Sequence, residues 1–110
     1  MVIDMVVREV NLTELQRIIN GSPIPVILEI CTKHPVCRDI QEHFNVLSRK
    51  FNGRVAFIRI DVEKHPEVLR IFGLSAPSYI AFDRGNIVNA WYSPSPLQLT
   101  KIVRDLSRLL

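Results

Sequence analysis

Two cysteines and a histidine fall three residues apart in this 110-residue chain, within Cys31-Thr32-Lys33-His34-Pro35-Val36-Cys37. A thiolate can attack a disulfide, and a second thiol within reach can resolve the mixed disulfide that results. Cys37 and Cys31 are therefore the candidate catalytic residues, on condition that the chain brings their Cα atoms within roughly 4.4–6.8 Å. Spacing alone does not supply that distance. The competing reading is two separate thiols, with Cys37 a small buried core residue. Cys37 alone could attack but not resolve, although a helix N-terminus and a protonated His34 would both favour its thiolate. Cys31, His34, Cys37 and His43 also admit a metal-binding reading. Structural zinc, however, wants four N or S ligands with closer Cys-x-x-Cys pairs, and His43 falls about two helical turns beyond Cys37. No metal and no cofactor are expected.

The elements that must position these residues are legible in the hydrophobic pattern. Val6, Val7 and Val10 predict a short strand, and Asn11 with Glu14 forms a capping-box start for a helix over 12–20, with Gly21 as its stop. Val26-Ile27-Leu28-Glu29-Ile30-Cys31 is nearly continuous in apolar residues, as a strand covered on both faces should be. Glu29 is the one charged interruption in that run. After Pro35, the residues Cys37, Ile40, Phe44, Leu47 and Phe51 step by three and four, predicting a long helix with Cys37 on its inward face.

Residues 55–61 read as a second buried strand carrying Arg59, and Pro66 to Phe72 as a short helix closed by Gly73. Two further strands, 78–82 and 87–92, flank Asp83-Arg84-Gly85-Asn86, whose residue types suit an antiparallel hairpin. Ser95, Pro96 and Gln98 open a last helix with an apolar stripe at Leu99, Ile102, Val103, Leu106 and Leu110. The order is βαβαβαββα, one α/β domain over residues 1–110. A buried Glu29 needs a partner, and Arg59 on the adjacent strand is the expected one.

The chain carries 14 Lys and Arg against 11 Asp and Glu, a net charge of +3. These basic residues are scattered, so no nucleic-acid partner is expected. Met1-Val2-Ile3-Asp4 lacks the basic start of a signal peptide, and no apolar run reaches membrane-spanning length. The expectation is a cytoplasmic protein with no membrane partner, in which cysteines stay reduced unless they are a working redox pair.

Gly73-Leu74-Ser75-Ala76-Pro77-Ser78-Tyr79-Ile80-Ala81-Phe82-Asp83-Arg84-Gly85, taken with the element order, resembles the thioredoxin family over nearly the full length. The resemblance implies a thioredoxin fold, a central mixed five-stranded sheet flanked by four helices. It places Pro77 at that family's cis-proline and Cys37-Arg38 at the second cysteine of its Cys-x-x-Cys site. His34 then stands where the attacking cysteine would be, Glu29 replaces a buried aspartate, Arg59 takes the place of its lysine neighbour, and about Ser93 replaces a glycine. Cys31 falls at or near a tryptophan position that closes the strand.

The resemblance further implies a groove around His34, Pro35, Ala76 and Pro77 able to hold an extended peptide. The leading expectation is an accessory, protein- or peptide-binding module in a thiol-redox or protein-folding setting, without conventional dithiol activity. An atypical thiol-disulfide oxidoreductase using Cys37 with Cys31 is the alternative, and a metal-binding protein a lesser one.

Overall fold

The computed structural model describes residues 7–32 and 35–109, so Val6, His34 and Leu110 lie outside the described residues. Nine elements follow in order: β1 (Arg8–Glu9), α1 (Leu12–Gly21), β2 (Val26–Cys31), α2 (Pro35–Lys50), β3 (Ala56–Asp61), α3 (Glu67–Phe72), β4 (Ser78–Asp83), β5 (Asn86–Tyr92) and α4 (Pro96–Ser107). The strands form one sheet in the order β1-β3-β2-β4-β5. β1 and β2 both run parallel to β3, while β4 is antiparallel to β2 and to β5, so the sheet is mixed.

β2 is central, and all six of its residues are buried. Successive side chains alternate between the two sheet faces. Ile27, Phe57, Tyr79 and Ala81 pack against Ile40, Phe44 and Leu47 of α2 and Leu99 and Val103 of α4. Leu28, Ile30, Ile58, Ile60 and Ile80 form the other core with Leu15 and Ile19 of α1 and Val68 of α3. Among the described residues, no helix is long and apolar enough to cross a membrane.

Local signals set the element ends. Asn11 and Ser95 each complete a capping box, with Glu14 and Gln98 respectively. Gly73 closes α3 in the left-handed region, its N–H bonded to the Leu69 carbonyl. Arg84 and Gly85 both have positive φ, 53° and 85°, the backbone that a two-residue hairpin turn requires. Gly21 departs from expectation, because α1 runs through it and ends when Ser22 turns extended and donates its N–H to Ile18.

Ser93, which follows β5, sits at φ 49° and donates its N–H to the Pro77 carbonyl at 2.8 Å. A non-glycine residue there carries a steric cost of about 1–2 kcal/mol, partly offset by the unfolded-state entropy a glycine would bring. Ser93→Gly should therefore raise the unfolding free energy by roughly 0.5–1 kcal/mol, read from urea midpoints. An unchanged or lower midpoint would show that the Ser93 side chain contributes something that offsets its backbone.

Candidate functional site

β2 and α2 converge on the two sulfurs. Cys31 is the last residue of β2, and alternation puts it on the same sheet face as Ile27 and Glu29, the face that α2 covers. Cys37 lies in the first turn of α2, three residues before Ile40 and seven before Phe44, so the helix's inward stripe carries it toward the sheet. The two residues form a disulfide with a Cα separation of 6.1 Å, which meets the distance condition and sets aside the reading of two separate thiols.

Both sulfur-bearing residues are buried, Cys31 at 1% and Cys37 at 0% exposure. Thr32 donates its backbone N–H to Cys37 Sγ at 3.4 Å, and Gln41 Nε2 donates to the Thr32 carbonyl at 3.1 Å. The connection between strand and helix is thus tied to α2 one turn beyond Cys37. In the oxidised state of this structure each sulfur is bonded to the other. His43 Nε2 meets Thr100 Oγ1 on α4 at 2.7 Å, and no metal-holding cluster of His, Cys, Asp or Glu occurs among the described residues.

Two positions back along β2, Glu29 is completely buried at the centre of a polar rung. Sheet register places Arg59 of β3 on one side of it and Tyr79 of β4 on the other. Arg59 Nε donates to Glu29 Oε1, and the Tyr79 hydroxyl donates to Oε2 at 2.6 Å. The second arm of the guanidinium, Nη2, donates to Asn45 Oδ1 at 2.9 Å, and the cation lies 6.0 Å from the Phe44 ring centre. Burial pushes the Glu29 carboxyl above its ordinary range, against the opposing pull of the Arg59 charge and the Tyr79 and Arg59 hydrogen bonds. The Tyr79 hydroxyl is pushed up as well, by burial and then by the neighbouring Glu29 charge.

The expected Glu29–Arg59 pair is therefore present, while Tyr79 and Asn45 were not identified from the sequence. Tyr79 had a usable signal, since a tyrosine within the buried run Tyr79-Ile80-Ala81-Phe82 needs a partner for its hydroxyl. Asn45 had none, because its role depends on where α2 crosses β3.

Of the expected groove, Pro35 is exposed at the start of α2, Ala76 is half-buried and Pro77 is buried. The Ala76–Pro77 peptide bond is cis. His34 lies outside the described residues.

No family model matches the chain. Thioredoxin H4 of Arabidopsis thaliana is 34% identical over 56 residues, a match covering 50% of this chain and 47% of that protein, so the likeness spans about half of the curated relative. Oxidized mitochondrial thioredoxin 3 of Saccharomyces cerevisiae superposes with a TM-score of 0.81 at 20% identity, covering 91% of this chain and 95% of that one. Thioredoxin of Malassezia sympodialis gives 0.83 at 17% identity, with 97% and 96% covered. The chain has the thioredoxin fold, a mixed five-stranded sheet flanked by four helices.

Proposed function

We propose that this chain is an atypical thiol-disulfide redox protein whose two-electron couple is Cys31–Cys37. The observation that carries this reading is the bond between the last residue of β2 and the first turn of α2, in a fold whose Cys-x-x-Cys site here retains one sulfur. In the reduced state, the α2 N-terminus and the Thr32 N–H both favour a thiolate at Cys37. Cys31 is then the resolving or attacking partner, and the substrate is a disulfide in a protein or peptide. In a reducing compartment such as the cytoplasm, such a couple would rest largely as the dithiol.

Insulin reduction by dithiothreitol, followed by turbidity, tests the reading. The wild-type protein should accelerate precipitation over the uncatalysed rate, and both Cys31→Ala and Cys37→Ala should return it to that rate. Full turnover in either single variant would remove the pair from the mechanism.

Burial of both sulfurs favours a second reading, in which the disulfide braces an accessory module that binds peptides near His34, Pro35, Ala76 and Pro77. On that reading wild-type and both variants share the uncatalysed rate, while peptide binding is indifferent to oxidation state.

A further inference from the structure

A crevice of about 130 Å³ opens beside the disulfide, lined by Cys31 and Thr32 together with Glu9, Arg59, Asp61 and Gln41. Register explains its composition. Glu9 is paired with Arg59 across β1 and β3, and Cys31 with Asp61 across β2 and β3, so these four residues share the face that α2 covers. β1 is two residues long and, among the described residues, is the edge of the sheet, so the crevice lies at that flank beside α2. Its volume is about four times the liquid share of a water molecule, enough for a few heavy atoms and too small for a peptide chain. Cys31 lines it and Cys37 does not.

We propose that this crevice is an access site for low-molecular-weight thiols, which react with the disulfide at Cys31 Sγ. The proposal rests on the reading of Cys31–Cys37 as a redox couple and adds which sulfur is attacked and from where. A small thiolate attacks Cys31 Sγ, the Sγ–Sγ bond breaks, and its electron pair leaves on Cys37 Sγ as thiolate. Attack at a sulfur is faster when the departing thiol is the more acidic one. Cys37 has that advantage, since it departs at a helix N-terminus beside the Thr32 N–H. A second thiolate then attacks the outer sulfur of the mixed disulfide, releasing the small disulfide and leaving Cys31 and Cys37 reduced.

The test compares Cys37→Ala, which retains Cys31, with Cys31→Ala, which retains Cys37. Each is reacted with 2-hydroxyethyl disulfide, and adduct formation is followed by mass in buffer and in urea. Cys31 should react at least about tenfold faster than Cys37 in buffer, and the two rates should converge in urea, where access is equal. Equal native rates, or a faster Cys37, would overturn the proposal. Should a variant react in buffer at its urea rate, the wild-type disulfide carries the test through brief exposure to 2-mercaptoethanol, acid quenching and mapping of the adduct. An adduct on Cys31 supports the proposal, and one on Cys37 or on neither overturns it. Cys31 preference without insulin turnover keeps the access site and removes the redox function; turnover with Cys37 preference does the reverse.

Discussion

Arg59→Met should destabilise the folded chain by roughly 3–5 kcal/mol near neutral pH, the usual cost of leaving a buried charge without its partner. The residue abandoned is Glu29, completely buried and otherwise served by the Tyr79 hydroxyl. Asn45 loses a donor in the same step. The loss should also depend on pH in a definite direction. Burial already raises the Glu29 carboxyl above its unfolded-state range, and removing Arg59 takes away the largest opposing influence, so the variant's carboxyl rises further.

A folded state that holds its proton more tightly than the unfolded state is most favoured below the unfolded value, about pH 4.3, and loses that advantage as pH rises through the folded one. The deficit against wild type should therefore shrink at pH 5 and widen at pH 8, read from urea midpoints. Replacing both partners, as Glu29→Gln with Arg59→Met, should restore much of the loss, because no charge is then left buried alone. A deficit of equal size at both pH values would mean that Arg59 acts by packing on Phe44 and not through Glu29.

Reduction of Cys31–Cys37 should lower stability by roughly 2 kcal/mol, the loop-closure value for a bridge of this length. The two cysteines are six residues apart, so the crosslink restrains only a short loop of the unfolded chain. Urea midpoints of the wild-type protein with and without reductant should differ by that amount, and those of Cys31→Ala with Cys37→Ala should not differ at all. A wild-type midpoint indifferent to reductant would show that the sulfurs are not bonded in solution.

Most of the fold is legible in the sequence, because the decisive signals are local. Asn11 with Glu14 and Ser95 with Gln98 start helices by hydrogen bonds within four residues, and the run 26–31 shows a strand covered on both sides by composition alone. What the sequence leaves open falls where a neighbour decides. Gly21 had the residue type of a helix stop, but the chain leaves α1 one residue later toward Pro23 and Pro25. Ser93 takes a left-handed backbone because its N–H reaches the Pro77 carbonyl, a contact across 16 residues that no local rule anticipates.

The site was legible in its residues and not in its distances. Cys31 and Cys37 are recognisable as candidates, but their bond depends on how the three-residue connection 32–34 lets α2 settle on β2. Glu29 announced its need for a partner by being charged in an apolar run, whereas Asn45 is brought to Arg59 only by the crossing of α2 over β3.

If Cys31 and Cys37 are one reversible redox couple, a redox titration shows it most directly. The protein is equilibrated in glutathione buffers of graded potential, its free thiols are alkylated, and the masses are read. Cys31 and Cys37 should lose and gain alkylation together along a single two-electron curve, with the folded protein reversible in both directions. Two thiols that titrate independently, or a pair that never exchanges without denaturant, would rule out such a couple.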